Sequence, residues 1–183
     1  MKKLTLALAV VACATIVNAA SMSWKTYTGQ YVYQSGTTTK LTGATAYLFD
    51  ASVVAQSALL DGILNDNKAI TSFSSLAQGA TTSTGAIAAT DADPAAGAIT
   101  VYFAIVSGDD VFISTEVSGT VPETGALSAQ FKNLNNPSKA AAIEFSGTSS
   151  YTGAGWYTAV PEPTSGLLLL LGMAGLALKR KRA

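Results

Sequence analysis

"AITVYFAIVSGDDVFISTEVS", residues 98–118, decides the fold class. Ala98 to Ser107 carries no charge and is apolar at odd and even positions alike, so a strand made from it is buried on both faces and belongs near the centre of a sheet. Gly108-Asp109-Asp110 reads as a hairpin turn. Val111 to Ser118 then returns, with Phe112, Ser114 and Glu116 alternating against Ile113, Thr115 and Val117.

Outward from this hairpin the same chemistry repeats. "WKTYTGQYVYQ" (24–34) and "ATAYLF" (44–49) are rich in β-branched and aromatic residues and read as strands. "ALSAQF" (126–131), "AAIEFSG" (141–147) and "GWYTAV" (155–160) add three more. Asp50 is placed to cap a helix over residues 51–64, in which Ser57, Asp61 and Asn65 form a polar stripe. Residues 71–97, mostly Ser, Thr, Ala and Gly, suit loops with weak edge strands. Thr-Gly-Ala recurs at 42–44, 84–86, 124–126 and 152–154; the unequal spacing indicates reused turn chemistry, not a solenoid. The expected fold is mainly β: a single β-rich, sandwich-like domain over residues 20–159 with one short helix.

Both ends differ from this middle. Lys2 and Lys3, an apolar run from Leu4 to Val17, and Val17-Asn18-Ala19 make a secretory signal peptide over residues 1–19, with cleavage between Ala19 and Ala20. A second reading, in which Val10-Val11-Ala12-Cys13 is a lipobox, would lipidate Cys13. At the other end Thr164 to Leu178 is uncharged, fifteen residues that a helix would stretch over roughly 22 Å against a hydrocarbon core of about 30 Å. It reads as a marginal transmembrane helix, 164–178. The basic cluster Lys179, Arg180, Lys181 and Arg182 holds the terminus on the cytoplasmic side. The prolines of Pro161-Glu162-Pro163 keep the backbone extended just outside the membrane, where a processing enzyme can reach it.

The order Val160-Pro161-Glu162-Pro163, apolar helix, basic terminus over residues 160–183 resembles the PEP-CTERM sorting signal of Gram-negative bacteria, a tail also named ice-binding protein C-terminal domain. The resemblance implies an exported protein handled by exosortase after signal peptidase has acted. It would be anchored transiently in the inner membrane, then delivered to the cell surface or an exopolysaccharide (biofilm) matrix. On this resemblance Pro161, Glu162 and Pro163 are recognition residues and not catalytic ones. Ice binding itself would need a regular Thr array, which Thr26 and Thr28 do not supply.

Composition narrows what the middle can do. Of eleven Lys and Arg, two lie in the signal and four in the tail, leaving five; of eleven acids only Glu162 is in the tail, leaving ten, so the middle has a net charge near −5. That disfavours nucleic acid as a partner. The middle has no His, no Cys and no Arg, which rules out thiol nucleophiles, Ser–His–Asp triads and His–zinc sites. The expectation is therefore a non-enzyme without cofactor or metal. Asp91, Asp93, Asp109 and Asp110 suit turns better than a cation site. Glu116, Glu123 and Glu144 are the remaining carboxylates for a hydrolase. The expected function is structural or adhesive; the alternative is a carbohydrate- or ion-binding module of the extracellular polysaccharide, with Trp24 and Trp156 as candidate glycan-stacking residues. The competing reading of the aromatics is core and cross-strand pairs between the two terminal strands.

Overall fold

The computed structural model describes residues 20–160. Its centre is the strand foreseen above, β5 in chain order. The strands are β1 (Ala20–Thr26), β2 (Thr45–Asp50), β3 (Ala77–Ala80), β4 (Thr90–Ala92), β5 (Gly97–Ser107), β6 (Asp110–Ile113), β7 (Val117–Val121), β8 (Gly125–Phe131), β9 (Ile143–Phe145) and β10 (Gly155–Ala159). Helix α1 (Gln56–Leu60) runs on as a π-helical turn, Asp61–Asn65, and α2 covers Asn135–Lys139. The larger sheet has the order β3-β2-β5-β6-β10-β9, with β7 also paired to β5; the smaller is β4-β1-β8.

Because β5 is apolar on both faces, each face needs a cover. Ile99, Val101, Phe103 and Ile105 pack with Ala46, Leu48, Phe112 and Trp156 against Met22, Trp24, Ala129 and Phe131 of the small sheet. Tyr102 and Ala104 point the other way, with Phe49, Val111, Ile113 and Tyr157, onto Leu59, Leu60 and Ile70 of the helical side. The result is three layers: small sheet, large sheet and helix. At about 25 cal/mol per Å² of apolar surface removed from water, the two cores are the main stabilising term. All the ladders named here and both cores are formed within residues 20–160.

The β5–β6 turn is Gly108-Asp109, since Ser107 faces Asp110. Gly108 has φ 62°, the left-handed first position that a two-residue hairpin with this twist requires. The four Thr-Gly-Ala glycines share this property: Gly43, Gly85, Gly125 and Gly153 all have positive φ between 70° and 122°.

Three expectations are corrected. First, the return strand 111–118 is broken. Ala104 faces Ile113 but Val101 faces Val117, three residues of β5 against four of its partner, so one extra residue bulges out around Ser114. Ser114 Oγ accepts the Phe103 N–H at 2.9 Å, replacing the lost ladder bond. Second, the helix starts at Gln56 and not after Asp50. Asp50 belongs to β2, opposite Val101, and its carboxylate accepts from the Ser52 N–H (2.8 Å) and hydroxyl (2.7 Å), which closes a turn instead of capping a helix. The polar stripe is present, with Asn65 donating to Asp61 at 2.7 Å. A second short helix, α2, forms where only one helix was expected in the domain. Third, the strand expected over 24–34 ends at Thr26, and the chain turns at Tyr27–Gln30 around Gly29 (φ 79°).

Candidate functional site

The C-terminal junction is built by β10. Trp156 and Tyr157 are fully buried, and the Trp156 Nε1–H donates to Tyr33 O (3.0 Å) and Ser138 O (2.9 Å). The strand is paired on both sides, antiparallel to β6 and parallel to β9, up to Ala159 opposite Phe145. Only Val160 then separates the ladder from Pro161. The N-terminal junction is as tight: Ala20 is the first residue of β1 and already faces Gly125. Ala19, Pro161, Glu162, Pro163 and Lys179 to Arg182 lie outside the described residues, as do the expected signal helix 1–19 and transmembrane helix 164–178. Among the described residues no helix is long and apolar enough to cross a membrane.

Trp24 and Trp156 do not offer stacking faces. Both are core residues, at 0% and 1% exposure, so no sugar ring can reach them in the folded domain. Nor do they pair with each other across adjacent strands, because β1 and β10 lie in different sheets. Trp24 packs edge-on to Phe131 with centroids 6.3 Å apart, while Trp156 packs on Phe112 at 5.4 Å. Aromatics of this size are drawn into a core wherever the strand pattern turns them inward.

Exposed Tyr27, half-buried Tyr31 and buried Tyr33 lie elsewhere, where two segments join side by side: the loop 27–40 after β1 and the segment 132–140 after β8. Asn135 ties them, accepting from Tyr31 N–H (3.0 Å) and donating to Gly29 O (3.1 Å); Gln30 Oε1 accepts from Leu134 N–H at 2.8 Å, and Gly36 N–H donates to Ala140 O at 2.9 Å. Three lysines lie over tyrosine rings on this surface. Lys40 is 3.8 Å from the Tyr31 centroid, Lys139 is 4.5 Å from Tyr33, and Lys132 is 4.8 Å from Tyr27. Each such contact stabilises by about 0.5–1 kcal/mol at an exposed site. Among the described residues the one ion pair is Lys68–Asp66, so none of these three ammonium groups is matched by a carboxylate. A depression of about 510 Å³ lined by Gln30, Asn133, Asn135, Asn136 and Pro137 adjoins them.

This surface holds three of the five lysines of residues 20–160 and none of their ten acids. Tyr27, Tyr31 and Tyr33 stand out in the sequence as part of an aromatic cluster, but the lysines over them do not, because the whole-domain charge is negative. The usable clue was local: residues 26–49 and 124–143 contain no Asp or Glu at all. The acids expected in turns are dispersed. Asp109 sits in the β5–β6 turn, Asp110 faces Thr158, and Asp91 faces Ser23 on the small sheet. Among the described residues no three His, Cys, Asp or Glu side chains gather where they could hold a metal ion.

A buried polar group underlies α1. Tyr151 donates to Gln56 Oε1, Gln56 Nε2–H donates to Ser114 O (2.9 Å), and Tyr102 donates to Val54 O (2.9 Å). Burial, the larger cause, and neighbouring tyrosine and Glu116 charge push the Tyr102 and Tyr151 hydroxyls well above the ordinary tyrosine range. The network satisfies polar groups beneath the helix and anchors it to the sheet.

Residues 159–182 match the family model of the PEP-CTERM protein-sorting motif. The motif indicates exosortase-dependent sorting of an exported protein to the cell envelope or surface, with exosortase as the processing partner. The match begins at the last residue of β10, so the sorting tail is joined to the domain without a linker. No curated protein and no solved structure matches the chain.

Proposed function

We propose that residues 20–160 form the working part of a surface or matrix protein, with a structural or adhesive role and no catalysis of its own. In this reading signal peptidase frees Ala20, the apolar segment 164–178 holds the chain transiently in the inner membrane, and exosortase acts at Pro161-Glu162-Pro163. The observation that carries the reading is the matched sorting motif starting where a complete domain ends. The absence of His, Cys and Arg from residues 20–160 supports a non-catalytic role, since it removes the commonest nucleophiles, bases and phosphate clamps. Adhesion is favoured by the lysine–tyrosine surface, whose charges have no partner within the described domain.

The sorting half is tested by changing Pro161-Glu162-Pro163 to three alanines and fractionating the cells. Alanines let the membrane helix continue outward where prolines held the backbone extended. Export should persist, while uncleaved chain accumulates in the inner membrane. Wild-type mass and rate of surface arrival for the triple variant would reduce the prolines to a helix stop.

A further inference from the structure

We propose that the Tyr27–Lys40 and Lys132–Lys139 surface is a binding site for an acidic polysaccharide, a polymer of carboxylate-bearing sugars. This rests on the adhesive reading and names its partner.

Charge segregation comes first. Lys40, Lys132 and Lys139 give this surface +3, whereas the rest of residues 20–160 holds two lysines against ten acids, or −8. The net negative remainder disfavours a polyanion, and these two segments are the part of the domain that carries only positive charge. Preorganisation comes second: each ammonium lies over a tyrosine ring, so its side chain is partly ordered before any ligand arrives. The third element is the polar lining. Asn136 and the Gln30 amide nitrogen border the 510 Å³ depression and can exchange hydrogen bonds with hydroxyls, while Tyr27, 44% exposed, adds an aromatic surface beside them.

The same features argue against other polyanions. Duplex DNA carries a charge every 1.7 Å and needs many phosphate contacts, whereas this surface has three lysines, no arginine and a strongly negative remainder. A lipid surface would call for apolar insertion, yet Tyr27 is the one large hydrophobic side chain exposed on this patch. Position also fits. β10 starts beside α2, where a Cβ on Gly155 would stand 4.0 Å from Pro137 O, and runs away from it to the tail junction at Ala159. The patch therefore lies at the end of β10 opposite the tail.

The test uses residues 20–160, the complete folded domain, on affinity gels containing polygalacturonate, neutral dextran or duplex DNA. Polygalacturonate should retard the domain in a salt-sensitive manner, and dextran and DNA should not. The Lys40→Gln/Lys132→Gln/Lys139→Gln variant should lose at least about tenfold in affinity, while Lys25→Gln/Lys68→Gln changes it less than about twofold. Lys132→Glu, at an exposed position, gives the same answer should the triple variant lose its fold. The proposal is overturned by no retardation on polygalacturonate, by equal retardation on dextran or DNA, or by unchanged binding of the lysine variants. None of those results would touch sorting, which is read from the triple-alanine tail variant.

Discussion

The two tryptophans of the chain are both buried, yet they should respond differently to the same substitution. In Trp156→Phe the ring stays apolar but Tyr33 O and Ser138 O lose their shared donor. Leaving buried acceptors unpaired costs about 1–3 kcal/mol, and the smaller ring adds about 1 kcal/mol of cavity. Trp24 has the same burial, but its Nε1 has no hydrogen-bond partner among the described residues. Trp24→Phe removes that unpaired donor, offsetting its own cavity. The expected gap is about 2–4 kcal/mol, a large part of the 5–15 kcal/mol that holds a domain of this size. Urea unfolding of residues 20–160 measures it, and each variant keeps one tryptophan as its own fluorescent reporter. Equal loss of midpoint, or a larger loss for Trp24→Phe, would refute the hydrogen-bond argument.

Other outcomes follow from the same packing. Gly85→Ala should destabilise by about 1–3 kcal/mol, because φ is 76° and the new Cβ meets Val32 O at 2.8 Å; Gly43→Ala, with φ 70° but open space around it, should cost only the left-handed backbone term of about 1–2 kcal/mol. Thermal melts of the pair read the difference. Truncation after Ala154 removes β10 and should leave the domain unfolded by circular dichroism, while truncation after Val160 should not. For Tyr102 and Tyr151 the folded-state pKa lies above the unfolded value of about 10. Their protonated hydroxyls therefore add stability below pH 10, lost as pH rises further and the unfolded chain gives up protons first. A urea midpoint level from pH 7 to 9 and falling above 10, with a weaker fall in Tyr151→Phe, is the expected profile.

What the sequence disclosed was the chemistry that does not depend on distant partners. The doubly apolar run of β5, the Gly108 turn and the four Thr-Gly-Ala turns are local, and all occur where expected. The matched sorting motif is local too. Asp50 was misjudged because the same carboxylate can close an Asx turn or cap a helix, and its ladder partner Val101 lies fifty-one residues away. The bulge at Ser114 is invisible in an alternating pattern, since it is set by which residues of β5 stand opposite. Trp24 and Trp156 show the same limit: residue type marks a sugar-stacking candidate, but only the turn of the strand decides whether the ring faces water. The lysine–tyrosine surface joins segments a hundred residues apart, so its charge is diluted in any whole-domain count.

The most direct test of sorting through the tail is the intact mass of the chain recovered from the cell surface. The account predicts an N-terminus at Ala20 and a C-terminus that keeps Ala159, so that β10 and its buried Trp156 and Tyr157 survive processing, and lacks the apolar segment from Thr164 onward. A surface protein that still carries residues 164–183, or one bearing a lipid on Cys13, would contradict it.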